Sequence, residues 1–370
     1  MTSPVVPAYG VNTLADLLPS VGAHLGIGST DVLGLPESQR YVVLLIDGLG
    51  AEQLARHSEI APYLSSLEGP SLTCGVPSTT ATSITSFGTG LAPGAHGVAG
   101  YSFWYPPLGE VLNALRWASG LYGIDVQPQL TSFERMAKAG IGTATVAPAA
   151  FAGTGLTELA LRDPNFLGVS NESDLDERAE LVNTAAGIGG RNLTYCYERL
   201  LDKTGHPEGV DSRAWRDALA WVDRLARVLR DRLPDDVRLV ITADHGMVDV
   251  AKDSRVIIED ETELMSEVTA VAGEARFRHL MTVPGADLRV PERWRRRLGD
   301  RAWVLSRSEA VEAGWFGSVA PRFADRFGDV VVAMSDDGAI LSRKFPGEFR
   351  LIGMHGSMSA AEMTVPLLID

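Results

Sequence analysis

The chain has 370 residues, 45% of them hydrophobic and 22% charged, with 33 basic against 47 acidic side chains and a formal charge of −14. That length and apolar content suffice for a large buried core, in one large α/β domain or two smaller ones, and exclude wholesale disorder. So acidic a balance excludes a grip on nucleic-acid duplexes, which needs a basic stripe, but leaves room for a small anionic substrate where cations reverse the local field. No apolar run is long enough to suggest a membrane span, and Met1–Asn12 lacks the pattern of a secretory signal, so the cytoplasm is the expected compartment. Cys74 and Cys196 are too far apart in sequence to read as a disulfide framework.

In chain order, Tyr41–Ile46 is a continuous apolar, β-branched run followed at once by Asp47-Gly48-Leu49-Gly50. It reads as a buried parallel strand ending in a turn. Pro77 to Gly90 is dense in hydroxyls and leads into a helix start. Gly142–Val146 is a second strand. A helix is expected over Ser212–Leu233, where Trp215, Leu219, Val222, Leu225 and Leu229 recur at helical spacing before Pro234. Val237–Thr242 is a strand leading to Ala243-Asp244-His245-Gly246, and Asp329–Ala333 is a further one. Such alternation predicts a three-layer α/β sandwich with a mostly parallel central sheet, whose ligands bind beyond the carboxyl ends of the strands. The stretch 253–327, rich in Arg and Glu, interrupts the pattern and reads as a small cap inserted into a single catalytic domain spanning 1–370. Its tryptophans Trp294, Trp303 and Trp315 are expected in a local core.

The metal-capable residues on strand ends and glycine-containing turns are Asp47, Asp202, His206, Asp244, His245 and His355. Glycine beside most of them lets the backbone bend away while side chains converge. Three carboxylates and three imidazoles suit Zn²⁺ and divide into two three-ligand sites with open positions. Two such ions can hold the attacking and leaving oxygens of an in-line displacement. An alcohol from the Pro77–Gly90 stretch, activated by a metal and set at a helix N-terminus, would supply the nucleophile. His96 reads as structural, and His24, His57 and His279 as surface or core residues.

In this order, Ile46-Asp47-Gly48, the Pro77-Ser-Thr-Thr80 turn with Thr89-Gly90, Asp202-x-x-x-His206, Ala243-Asp244-His245-Gly246 and His355-Gly356 resemble the alkaline phosphatase superfamily. Within it they are most similar to the nucleotide pyrophosphatase/phosphodiesterase branch. The resemblance runs from about Tyr41 to Leu368. It implies that Asp202, His206 and His355 hold one zinc, and that Asp47, Asp244 and His245 hold the other. It also implies that Thr80, nine residues before Thr89 and three after Pro77, forms a covalent phospho-threonine and itself meets a metal. Where the branch often carries an asparagine that contacts a phosphoryl oxygen, this chain has Tyr101, so Tyr101 or the nearby Asn113 is the expected substrate contact. A sulfatase is excluded, because Cys74-Gly-Val-Pro-Ser lacks the Cys-x-Pro-x-Arg of that class. The expected activity is hydrolysis of a phosphodiester or nucleotide pyrophosphate, with two divalent metal ions, most simply zinc, and a small phosphorylated or nucleotide substrate. The rivals are a phosphomonoesterase or phosphonate hydrolase, for which Arg116 and Lys203 are the candidate extra cations, and a non-catalytic binding protein on the same fold.

Overall fold

The computed structural model describes residues 3–117, 120–162 and 165–370. Its two larger sheets are built from β1 (Arg40–Ile46), β2 (Gly142–Pro148), β3 (Asn165–Val169), β4 (Asn192–Glu198), β5 (Val237–Thr242), β6 (Val268–Glu274), β7 (Phe277–Thr282), β8 (Ala302–Ser306), β9 (Val330–Met334) and β10 (Leu368–Ile369). The helices that matter here are α1 (Leu17–Leu25), α2 (Thr80–Thr89), α3 (Leu175–Ala186), α4 (Leu200–Glu208), α5 (Arg213–Arg232) and α6 (Arg289–Leu298).

The central sheet runs β10-β5-β1-β4-β2-β3, with every neighbour parallel except the edge strand β10, which is antiparallel to β5. Tyr41 through Ile46 is fully buried, because helices pack over the sheet and β1 sees no solvent on either face. Register sets the site. Ile46 lies opposite Glu198 and Leu45 opposite Thr242, so the turns after β1, β4 and β5 leave from one edge of the sheet.

The expected helix over Ser212–Leu233 is α5. Ser212 caps it by accepting from Trp215 N at 3.1 Å, and Trp215, Leu219, Val222, Leu225 and Leu229 form its buried stripe. The hydroxyl-rich α2 is unusual in being buried from Ala81 to Thr89. Two of its hydroxyls are satisfied within the helix, Thr85 donating to Ala81 O at 2.7 Å and Thr89 to Thr85 O at 2.6 Å, while Thr82 donates to Val98 O and Ser86 bonds His96. Gly88 lets α2 approach the chain near Ala160, whose carbonyl oxygen would be 1.9 Å from a Cβ at that position.

The second sheet, β6-β7-β9-β8, is antiparallel throughout. This corrects the placement of the Asp329–Ala333 strand. It forms, as β9, but lies between β7 and β8 of the small sheet, beyond the end of the expected 253–327 insertion. A run buried on both faces carries no alternation to say which sheet it joins. Trp294 from α6 packs beneath this sheet with Val304 and Val332, while Trp303 and Trp315 join Phe316 and Phe327 in a neighbouring cluster; all three tryptophans are core. Among the described residues no helix is long and apolar enough to cross a membrane.

Candidate active site and metal centre

Each expected ligand reaches the site by a short path from a buried element. Asp47 is the first residue after β1. Gly48 follows with φ +80°, donates its N–H to Asp244 Oδ1 at 3.1 Å, and would put a Cβ 3.0 Å from Asp202 Cβ. Only glycine therefore allows β1 to turn beneath α4. Asp244 and His245 follow β5. Asp202 and His206 lie one turn apart on α4, and the helix continues through Gly205 to Glu208 because Gly205 leaves space for Met247. His355 follows Gly353-Met354, a short strand paired antiparallel with Val248-Asp249 just beyond the Asp244-His245 turn.

These residues converge. His245 Nε2 lies 3.5 Å from Asp47 Oδ1 and 3.6 Å from Asp244 Oδ2. Asp202 lies 3.4 Å from His206 Nε2 and 3.8 Å from His355 Nε2. The rings of His245 and His355 stack with centroids 3.7 Å apart, so the two halves form one continuous centre. Asp47, Asp244 and His245 group tightly enough to share one ion. Asp202 and His355 group equally tightly with His245, while His206 stands beside Asp202 at the outer side.

Two features fit this donor set to divalent cations. Asp47 Oδ1, Asp202 Oδ1 and Asp244 Oδ2 are buried without hydrogen-bond partners. Burial, then the charges of Asp244 and Asp202, hold the Asp47 carboxyl well above the usual range, and burial likewise raises Asp244. Carboxylates left so bare are costly unless a cation compensates them. The histidines are also aimed. Nδ1 of His206 meets Gly353 O at 2.9 Å, that of His245 meets Gly246 O at 3.0 Å, and that of His355 meets Ser78 O at 2.9 Å. A carbonyl only accepts, so each Nδ1 carries the proton and each Nε2 presents a lone pair, the arrangement typical of ligating imidazoles. Burial, then His245 and His206, push His355 well below its ordinary value and keep it neutral.

Thr80 opens α2, and its Oγ1 lies 3.2 Å from His245 Nε2. Thr79 is the N-cap but makes no capping hydrogen bond, which leaves the first N–H groups of the helix facing the site. Ser78 ties this turn to the His355 loop, donating from Oγ to Ser357 O at 2.6 Å and from its N–H to Gly356 O at 3.1 Å. The Thr80 turn and the His355 loop are thus held as one unit.

Tyr101 and Asn113 are neighbours in a short hairpin, where Ser102 pairs with Asn113 and Ala114 N–H donates to Tyr101 O at 2.8 Å. Both line a cleft of about 960 Å³ that also takes in Asp47, Thr80, Asp202, His206 and His355. Asn113 Oδ1 accepts from Leu115 N and Arg116 N, leaving its amide nitrogen as the group available to a ligand. Arg116 and Lys203 line the same cleft, and neither forms an ion pair among the described residues. His96 is indeed structural: buried, bonded to Ser86 Oγ at 2.9 Å, and driven by burial to a pKa of about 3.

Sequence reasoning missed two residues. Tyr197 donates its hydroxyl to Asp47 Oδ2, and burial, then Asp47, raise its pKa so that it stays a phenol. The signal was the alternation of Tyr195 and Tyr197, which puts both rings on the cleft side of β4. Glu274, at the end of β6, also lines the cleft and is pushed up to about 7 by burial. No spacing rule connects it to the ligands.

Comparison with known proteins places this geometry in a family. Murine ectonucleotide pyrophosphatase/phosphodiesterase 5 superposes with a TM-score of 0.72 at 20% identity, covering 89% of this chain and 87% of that one. An inactive variant of the murine protein, solved in complex with AMP, gives a TM-score of 0.72 at 19% identity over 90% and 87% of the two chains. The human protein gives a TM-score of 0.70 at 18% identity over 89% and 87%. At such identities these likenesses show a shared fold. Ectonucleotide pyrophosphatase/phosphodiesterase family member 7 of Mus musculus is 40% identical over 63 residues, a match that spans 16% of this chain and only 14% of the relative, and the Rattus norvegicus protein matches to the same extent. A sequence model of the type I phosphodiesterase / nucleotide pyrophosphatase family matches residues 41–358, and the chain belongs to that family.

Proposed function

We propose that this protein hydrolyses phosphodiester or nucleotide pyrophosphate bonds through a covalent intermediate on Thr80. One observation carries the reading: three bare carboxylate oxygens and three directed Nε2 atoms surround the end of α2, with Thr80 Oγ1 at 3.2 Å from His245 Nε2. Asp47, Asp244 and His245 would hold one divalent cation and Asp202, His206 and His355 a second, zinc by the donor set, and these supply positive charge that lowers the hydroxyl pKa and offsets phosphoryl charge.

Thr80 Oγ1 gives up its proton to solvent and attacks phosphorus, the bond to the leaving oxygen breaks with its electron pair on that oxygen, and the leaving group departs, taking up a proton from solvent. The uncapped N–H groups at the start of α2 receive a phosphoryl oxygen. Water then attacks the phospho-threonine from the vacated side, breaking its P–O bond and restoring the Thr80 hydroxyl. Tyr101 and the Asn113 amide are the chain's candidates for a further hydrogen bond to phosphate. The apolar wall of Phe151, Leu156, Leu161 and Phe166 suits a leaving group with an aromatic or apolar part. AMP in the murine relative supports a nucleotide as the substrate class.

A phosphomonoesterase is the second reading, favoured by Arg116 and Lys203, whose free cations suit a dianionic phosphate. The deciding measurement is kcat/KM for a chromogenic phosphodiester against the matching monoester with zinc-loaded protein, alongside Thr80→Ala. A ratio well above one, lost in Thr80→Ala, supports the diesterase. A ratio well below one, also lost, moves the enzyme to monoesters. Undiminished activity of Thr80→Ala rejects the nucleophile.

A further inference from the structure

Glu274 ends β6, an edge strand of the small sheet, and is 7% exposed in the wall of the cleft. The arginines that follow it are engaged elsewhere: Arg276 with Glu362, Arg278 with Glu348 and the carbonyl of Ile340. Glu274 therefore has no ion-pair partner among the described residues. It touches instead three segments that frame Thr80. Oε1 accepts from the Tyr101 N–H. The carboxyl also lies beside the Thr79 hydroxyl, while Oε2 has no fully formed hydrogen bond. Its Cβ packs on Gly356, next to His355, where an added Cβ would come within 3.1 Å. Gly100 makes room as well: φ there is +145°, and a Cβ would stand 3.4 Å from both carboxyl oxygens. Two glycines with positive φ thus accommodate one buried carboxyl group that burial pushes up to about 7.

We propose that Glu274 is a positioning residue for phosphoryl transfer, holding the Tyr101 backbone so that the tyrosine hydroxyl addresses the phosphorus that Thr80 Oγ1 attacks. The inference rests on the reading of Thr80 as nucleophile. Its physical basis is that Oε1 accepts from the Tyr101 N–H while the Glu274 Cβ packs on Gly356, so one rigid side chain sets the Tyr101 segment against the loop that carries His355. A glutamine keeps the shape and one acceptor for Tyr101 N–H; an alanine keeps neither. A glutamate serving stability alone would act without reference to Tyr101.

The test is kcat and KM for a chromogenic phosphodiester with zinc-loaded wild type, Glu274→Ala, Glu274→Gln, Tyr101→Phe and the Glu274→Ala/Tyr101→Phe double variant. Misplacement of a reacting group by an ångström costs on the order of 10²-fold, so Glu274→Ala is expected to lose about that much in kcat with little change in KM. Glu274→Gln is expected to recover most of the loss, and in the Tyr101→Phe background Glu274→Ala is expected to cost little more. Wild-type turnover in Glu274→Ala, or a loss undiminished by Tyr101→Phe, overturns the inference alone. A wild-type protein that cleaves no phosphodiester overturns the proposed function, and this inference with it.

Discussion

Beside the small antiparallel sheet, Arg276 and Glu362 are both fully buried and joined by two N–H donors at 2.7 and 2.8 Å, and Arg278 is matched by Glu348. At the carboxyl edge of the central sheet Asp47 and Asp244 are buried as deeply, yet they face one another, Asp202 and the imidazoles of the cluster. The central region is not careless with charge in general, since Glu198 at the end of β4 has Arg178 at 2.8 Å. Arg276 and Arg278 of the small sheet have their counter-charges within the protein; the carboxylate cluster of the parallel sheet has no Lys or Arg paired with it among the described residues. That is the difference between charge used to specify packing and charge kept for a ligand.

The largest effect should come from Asp244→Asn. Turnover of a phosphodiester is expected to fall on the order of 10³-fold, because the proposed metal site loses a charged ligand. Chelator-treated Asp244→Asn should nevertheless melt higher than chelator-treated wild type, since it removes an uncompensated buried charge. A lower melting temperature would break the comparison. Arg276→Met should do the reverse, leaving Glu362 without its counter-charge at a cost of about 3–5 kcal/mol in denaturant unfolding, most of which Glu362→Leu in the same chain should restore.

Glu274 gives a third, smaller effect whose sign depends on pH. Its folded-state pKa of about 7 stands above the ordinary value of 4.5, so the stability tied to its proton is full below pH 4.5 and is lost as pH rises through 7. Chelator-treated Glu274→Gln should therefore match wild type at acid pH and exceed it above neutrality, by at most about 3 kcal/mol in urea unfolding. The smallest effect is expected for Tyr197→Phe. Loss of the hydroxyl that orients Asp47 should weaken zinc binding about 10–100-fold in competition with a chromogenic chelator, with the fold unchanged by circular dichroism.

Much of the site was readable in one dimension because its chemistry is written as short local signals. An apolar run followed by Asp-Gly or Asp-His-Gly names both a strand and the residue at its end, and all six expected ligands meet in space. The helix over Ser212–Leu233 was equally legible, its stripe, serine cap and proline stop all lying within the segment. Strands β3 and β4 were not anticipated. Asn192–Glu198 mixes Asn, Thr, Tyr and Glu and so lacks an apolar run, and two of its polar groups find partners outside the strand, Glu198 in Arg178 and Tyr197 in Asp47. Likewise β9 looked like any buried strand, and nothing local assigned it to the antiparallel sheet.

By itself, then, the sequence determined the α/β alternation and singled out the candidate ligands, since glycine turns, donor chemistry and hydrophobic period are properties of contiguous residues, while the choice of Thr80 as candidate nucleophile came from the family resemblance. Only the tertiary structure decided that His245 and His355 stack to join the two halves of the centre, that Ser78 binds the nucleophile turn to the His355 loop, and that Glu274 reaches in from the other sheet. Those contacts join residues about 110 to 280 positions apart, where register and packing rather than local spacing fix who meets whom.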